Sequence, residues 1–301
     1  MNWYNEFADH IERDAALAPM TWFKLGGCAR YLFRPRDVAE LAALVARARG
    51  EDVPVRVLGA GANVLISDDG VDGVVVRLDQ PAFCGVRRRG HEVDVGAGVN
   101  LMPFSRDCSE RGWSGMQCLA GIPATIGGAV RMNAGGRFGD ISAVVQGVDV
   151  LDPDGGVERW GHDRIEFGYR RSNLGGRIAL SATLALREDD PGRVRREYEE
   201  CFAYKRKSQP MADRSAGCIF KNPEGRSAGA LIDQAGLKGT MVGGARVSER
   251  HANFIVTERG ATASDVMHLI DVIRDRVLRV FQTLLEPEIE FWRPSRKEVA
   301  V

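Results

Sequence analysis

Residues 121–136 read GIPATIGGAVRMNAGG, and Arg131 is the only charge among them. The run is too long and too apolar for a surface turn, where polar turn-formers are expected. Glycines at this density either bring backbone amides close to another group or supply positive φ. About sixty residues earlier, LGAGANVL (58–65) leaves the strand-like VPVRVLG (53–59) and turns at Gly59 and Gly61. Successive N–H groups at such a turn can converge on an anion. Alone, this loop reads equally well as a tight strand turn. It is not the dinucleotide fingerprint of a doubly wound sheet, because that pattern needs GxGxxG opening a helix, and Val64 occupies the third glycine's place. Taken together, the two small-residue segments suggest a cradle for one large ligand carrying a pyrophosphate and a flat ring.

The rest of the chain excludes several classes. Charged residues make up 27% and apolar residues 44%, the balance of a soluble globular protein. The formal net charge is zero, so there is no global footprint for nucleic acid. The run Arg87–Arg89 reads as an exposed turn. No apolar segment approaches the roughly 20 residues that span a bilayer. The N-terminal MNWYNEFADHIERD carries four acids and lacks the apolar core of a secretory signal. A cytoplasmic monomer with no nucleic-acid or membrane partner is expected. The six cysteines (Cys28, Cys84, Cys108, Cys118, Cys201, Cys218) show no CxxC spacing and no histidine at zinc-finger distance. They are expected to be reduced thiols, most of them buried filler, with no metal site.

Periodicity places a helix over 37–49 capped by Asp37, a helix over 100–112, and strands at 53–59, 71–78 and 91–98. A strand entering a turn at Pro153–Gly156 and an apolar strand over 177–187 follow. The polar joint EDDPGR (188–193) reads as a domain boundary. Beyond it come a charged helix over 192–207, a short helix near AGALIDQAG and a strand at HANFIVT. The longest helix begins at 264, with Ser264 as N-cap and Val266, Leu269, Ile270, Ile273, Val277 and Val280 on one face. EPEIEFW closes as a strand. Hairpin strands mixed with unevenly placed helices argue an α+β fold.

Several motifs in register now carry a resemblance: TWFKLGG at 21, VLGAGANVLISD at 57, GIPATIGGAVRMNAG at 121, FGYRRS at 167, KRKSQP at 205, SAGCIFKNP at 215, AGALIDQAGLKG at 228, GGARVSERHANFIV at 243 and LEPEIEF at 285. The chain resembles the UDP-N-acetylenolpyruvoylglucosamine reductases, the MurB family, over about residues 20–292. The resemblance implies an FAD-binding domain of the vanillyl-alcohol-oxidase (PCMH) type in two subdomains over 20–190. A smaller α+β substrate domain over 191–293 follows, between an N-terminal segment (1–19) and a tail (294–301). The chain lacks the extra tyrosine-bearing loop of longer members, which implies the type II form. The implied reaction uses NADPH and bound FAD to reduce an enolpyruvyl ether on UDP-N-acetylglucosamine, with hydride added at C3 and a proton at C2.

The resemblance also assigns residues. Arg170 would stabilise the enolate, with Arg171 as a surface charge. Glu288 would assist at the substrate carboxylate; strand geometry alone leaves Glu288 and Glu290 equivalent. Cys218 takes the place of the serine that relatives use as proton donor, and a thiol, with an ordinary pKa of about 8.5, is the stronger acid. Cofactor binding is carried over to Gly59, Ala60, Gly61, Ala62, Asn63, Val64, Leu65, Gly121, Ile122, Pro123, Thr125, Ile126, Gly127, Gly128, Asn133, Ala134 and Gly135. Arg206 or Lys207, with Lys221 and Asn222, would meet the UDP diphosphate. The chain departs from the family at Ala62 (commonly serine), at Glu290 (commonly arginine), and at Gly136–Phe138, where a tyrosine is missing. Those departures leave one alternative of another class, a non-catalytic flavoprotein or UDP-sugar-binding relative. Retention of Arg170 and Glu288 argues against it.

Overall fold

The computed structural model describes residues 4–294. Residues 1–3 of the expected N-terminal segment and 295–301 of the expected tail lie outside the described residues.

The chain forms two compact units. One takes the chain up to Arg13, then Tyr31–Ala60 and Gly73–Tyr204; the other takes Asp14–Arg30, Gly61–Asp72 and the chain from Lys205 onward. The units interleave instead of following one another across a joint near 190. Two packing facts explain the difference. Phe23, Leu25 and Leu65, from early in the chain, are buried in the second unit's core with Ile219, Leu231 and Leu269. The chain on either side of 190 is tied to the first unit, where Val194 is fully buried, Gln117 Nε2 donates to Glu197 (2.9 Å) and Asp189 N–H donates to the Gly112 carbonyl (2.9 Å).

The first unit holds two cores, as expected for two subdomains. Helix α1 (Val38–Gly50) is started by Asp37, whose side chain accepts the Glu40 N–H, a geometry worth about 1 kcal/mol. Leu41, Leu44 and Val45 then pack with Phe33, Val74, Val76 and Phe83, and Val55–Val57 runs parallel to Val74–Val76. The second core sits on a five-stranded antiparallel sheet in the order Val157–Gly161, Val145–Leu151, Ile178–Ala185, Glu92–Gly96, Val86–Arg89. Its register sets Val148 opposite Ala182 and Ala182 opposite Val95. These residues share a core with Phe104 of α2 (Leu101–Glu110) and Ile126 and Val130 of α3 (Ile126–Arg131). Strand alternation sends the intervening residues to the other face, where Arg159 donates to Thr183, Thr183 to Asp94 and Ser181 to Asp149.

Arg87–Arg89 is an edge strand and not a turn. It pairs with Glu92–Asp94, and Arg88 lies over the Trp113 ring at 4.6 Å while bonding Glu188. Long cations on an edge discourage pairing with another chain. The cysteines also differ from expectation. None of the six forms a disulfide among the described residues, but only Cys108 and Cys201 are buried; Cys28 and Cys84 are exposed, and Cys118 and Cys218 are half-buried. Burial, with Asp107 beside it, pushes the Cys108 thiol up to about 12 and makes it inert. The last helix of this unit, α4 (Pro191–Ser208), runs into the second.

In the second unit α5 (Ala228–Gln234) and α6 (Ala263–Phe281) pack with the antiparallel strands Met241–Val242, Ala245–Val247 and Ile255–Thr257. The N-cap of α6 is Thr262, not Ser264, because Thr262 and Asp265 close a reciprocal capping box. Ser264 instead donates its hydroxyl to Asp68, which also accepts the Ala263 and Ser264 N–H groups. Val266, Leu269, Ile270, Ile273 and Val277 are buried as expected, each worth about 1.5–3 kcal/mol. Val280 is 45% exposed, because the stripe passes to the half-buried Phe281 and the helix stops there, with Gln282 in the left-handed conformation.

Candidate functional site

In the first unit the two glycine runs meet. A Cβ on Gly59 would lie 2.7 Å from Thr125 Oγ1, so glycine is what lets the loops touch. Thr125 caps α3, its hydroxyl accepting the Gly128 N–H (3.3 Å). The Ile126 and Gly127 N–H groups donate to the Val99 and Ala97 carbonyls (2.9 Å each), pinning the run to the preceding loop. Ile122, Pro123, Ala124, Thr125, Gly127 and Gly128 remain half-buried, as do Ala134 and Gly135. They form a wall of small, uncharged residues. Gly121 and Ile126 are buried, and Ile126 belongs to the core.

Arg77 was not singled out in the sequence. Its Nη1 donates to the Gly59 carbonyl (2.8 Å), and its Nε bonds Asp79 (3.3 Å). The only available signal was a cation interrupting the apolar run VVVRL.

Arg170 sits on a hairpin in which Phe167 pairs with Ser172 and Gly168 with Arg171, leaving Tyr169–Arg170 as the turn. Its φ is 55°, a left-handed conformation that costs a non-glycine residue about 1–2 kcal/mol. The guanidinium lies 5.1 Å from the Tyr169 ring centre and the residue is half-buried; Arg171 is exposed. At the departure from the family pattern expected above, the tip residues Arg137 and Phe138 lie against the Tyr204 ring.

The second unit carries Ala62–Leu65, Cys218, Lys221 and Glu288 on a ribbon of four backbone segments. The loop enters it at Gly61, whose φ is 68° and where a Cβ would lie 2.2 Å from the Met20 carbonyl. Ala62 and Asn63 stay half-buried while Val64 and Leu65 are buried. Val64–Ile66 runs parallel to Glu290–Trp292. Asn63 Nδ2 donates to the Glu288 carbonyl (3.3 Å), and the Glu290 N–H donates to the Asn63 carbonyl (3.0 Å). Glu288 N–H donates to the Ile219 carbonyl (2.7 Å), and Lys221 N–H to Glu286 (2.9 Å). On the far side, the Ile219 N–H donates to the Asn253 carbonyl (2.9 Å). Cys218 and Glu288, some seventy residues apart in sequence, are thus on adjacent segments of one ribbon, and both are half-buried. Glu290 accepts from the Trp292 indole (3.4 Å).

The ribbon depends on a residue that sequence reading passed over. Asn253 is 3% exposed. Its Oδ1 accepts the Phe220 N–H (2.9 Å) and its Nδ2 donates to the Phe220 carbonyl (2.8 Å), so a side chain supplies what a neighbouring strand would. Its signal was a lone amide inside the apolar strand HANFIVT.

Arg206 and Lys207 are exposed on the last turn of α4, and Arg206 offers its carbonyl to Arg250 (3.4 Å). The Lys221 ammonium pairs with the Glu286 carboxylate, and Asn222 Oδ1 accepts the Ala228 N–H at the start of α5 (3.0 Å).

The wall suits FAD: Gly59 brings its loop against Thr125, and the uncharged, half-buried run over 122–128 suits a flat apolar ring system. The class defined by this arrangement is a flavoprotein with a second compact unit. Residues 29–161 match the FAD binding domain family, and residues 209–292 match the family described as UDP-N-acetylenolpyruvoylglucosamine reductase, C-terminal domain. The protein named UDP-N-acetylenolpyruvoylglucosamine reductase from Heliobacterium modesticaldum is 43% identical over 272 residues, 89% of this chain and 86% of the relative. Its namesake from Paramagnetospirillum magneticum is 42% identical over 266 residues, 88% of this chain and 86% of the relative. The crystal structure of UDP-N-acetylenolpyruvylglucosamine reductase (MurB) from Thermus caldophilus matches with a TM-score of 0.82 at 38% identity, covering 94% of this chain and 99% of that one. The chain belongs to the UDP-N-acetylenolpyruvoylglucosamine reductase family. Its fold is α+β, with an FAD-binding domain of the vanillyl-alcohol-oxidase type.

Proposed function

We propose that this chain reduces the enolpyruvyl ether of UDP-N-acetylglucosamine to the lactyl ether, giving UDP-N-acetylmuramate for peptidoglycan synthesis, with NADPH as electron donor. When bound, FAD would supply the electron chemistry linking NADPH to the enolpyruvyl group, whose C3 receives the hydride. The small-residue segments from Gly59 to Asn63 and from Gly121 to Gly128 would hold it. Arg170 places a fixed cation for the charge that develops at C2 and the carboxylate, where preorganised charge lowers the barrier most. Glu288 hydrogen-bonds the substrate carboxylate. Cys218 gives its proton to C2 and becomes a thiolate, so that C3 has gained hydride and C2 a proton. Arg206, Lys207, Lys221 and Asn222 meet the diphosphate, with Lys221 exchanging Glu286 for a phosphate oxygen. FAD binding is assigned to residues 20–190 and substrate binding to 191–293, in a cytoplasmic monomer. No helix among the described residues is long and apolar enough to cross a membrane.

The observation that carries this reading is the ribbon, which sets Glu288 one backbone hydrogen bond from the Cys218 segment inside the family-specific domain. The test is anaerobic spectroscopy of the purified protein. NADPH should bleach a bound flavin and the enolpyruvyl substrate should restore it. A colourless protein with no affinity for FAD would end the proposal.

A further inference from the structure

Asn133 lies near the end of the second glycine-rich run, and both ends of its carboxamide are committed to backbone. Nδ2 donates to the Gly168 carbonyl (3.1 Å), and Oδ1 accepts the Ser142 N–H (3.3 Å). The residue is 5% exposed and has φ 43°, a conformation that asparagine tolerates. Gly168 starts the turn that carries Arg170, itself left-handed at φ 55°. A non-glycine residue persists in that conformation only where its surroundings over-determine it. A second tie holds the other strand of the hairpin: Ser172 Oγ donates to the Arg131 carbonyl (2.9 Å). The end of the cofactor run thus grips both strands of the Arg170 hairpin, at Asn133 and at Arg131.

We infer that Asn133 is a positioning residue for Arg170 and not a contact to the flavin. The inference rests on the role proposed above for Arg170. A guanidinium displaced by about 1 Å can cost roughly 100-fold in rate, and nothing in the grip requires a ligand to complete it.

Asn133→Asp keeps the size, the left-handed tolerance and the acceptor for Ser142, but turns the donor facing Gly168 into an acceptor. Asn133→Gly keeps the backbone freedom and removes both bonds. Ser172→Ala loosens the same hairpin from a residue with no proposed part in cofactor binding. Each holoenzyme is measured for FAD dissociation constant, flavin reduction by NADPH and flavin reoxidation by substrate. The expected result is reoxidation slowed about 10- to 100-fold in the Asn133 variants and less in Ser172→Ala, with FAD affinity and reduction within about threefold of wild type. FAD affinity that falls along with both half-reactions would make Asn133 a flavin contact and overturn the inference; unchanged reoxidation would overturn it too. If the Asn133 variants do not fold, Ser172→Ala decides alone, since selective slowing supports the grip and unchanged rates refute it. Arg170→Lys is the control for the underlying role. If it leaves reoxidation intact, the reading of Arg170 fails; if it slows reoxidation while the Asn133 and Ser172 variants do not, only the positioning inference fails.

Discussion

Replacing Asn253 with alanine tests whether one side chain stands in for a missing strand beside the Cys218 segment. Phe220 is 1% exposed, and both its N–H and its carbonyl are satisfied by the Asn253 carboxamide. The substitution strands both groups. A buried, unpaired donor or acceptor costs about 1–3 kcal/mol, so the pair costs about 2–6 kcal/mol. One water bridging the two groups would hold the loss at the low end. Against a typical domain stability of about 5–15 kcal/mol this is a large fraction. The measurements are urea unfolding of the holoprotein and hydrogen exchange at the Phe220 amide. The unfolding midpoint should fall, the Phe220 amide should lose protection, and reoxidation by substrate should slow while reduction by NADPH persists. Asn253→Asp adds a pH signature. A buried carboxyl facing the Phe220 carbonyl binds its proton more tightly folded than unfolded. The variant's deficit relative to wild type should therefore be smallest below about pH 4 and grow as pH rises through the folded value. A loss under about 1 kcal/mol with Phe220 still protected would refute the reasoning.

Three further outcomes are expected. Cys218→Ala should leave flavin reduction intact and slow reoxidation by about 10²–10⁴-fold, the span of general acid–base catalysis, whereas Cys218→Ser should keep substantial activity; equal reoxidation rates in all three proteins would remove the thiol from the proton transfer. Gly61→Ala should purify with little FAD, because its Cβ would lie 2.2 Å from the Met20 carbonyl at a φ of 68°, and a full complement of visible flavin absorbance would contradict the close approach. Burial lowers the His251 imidazole below its ordinary value, with the Lys238 charge acting in the same direction. The unfolded chain therefore binds that proton first, and stability should decline as pH falls from about 6.5 toward the folded value. Protonation would also end the bond from the Asn253 N–H to His251 Nδ1 (3.3 Å). His251→Asn should flatten that slope in thermal midpoints across the window, and an unchanged slope would assign it to other groups.

Local rules carried much of this protein. Apolar spacing placed α1, α2 and α6 because a helix must bury one stripe, and the buried Val266, Leu269, Ile270, Ile273 and Val277 follow that spacing. The glycine runs announced a close approach because only glycine allows one, and the motif series from TWFKLGG to LEPEIEF marked the family. Other features depended on partners distant in the chain. Arg87–Arg89 became a strand because Glu92–Asp94 pairs with it. Ser264 lost the cap to Thr262, whose box with Asp265 is completed locally, while Ser264 turned to Asp68 nearly two hundred residues away. The interleaving of the units came from Phe23, Leu25 and Leu65 finding apolar area in the later core. The sequence by itself determined the kinds of element, the glycine positions and the reactive groups, since these follow from side-chain shape and chemistry over a few residues. Only the tertiary structure decided which groups became neighbours: Thr125 at Gly59, Asn133 at the Arg170 hairpin, and Asn253 and Glu288 on either side of the Cys218 segment. Buried backbone groups must be paired, and the partner is whichever segment the fold brings within hydrogen-bonding distance.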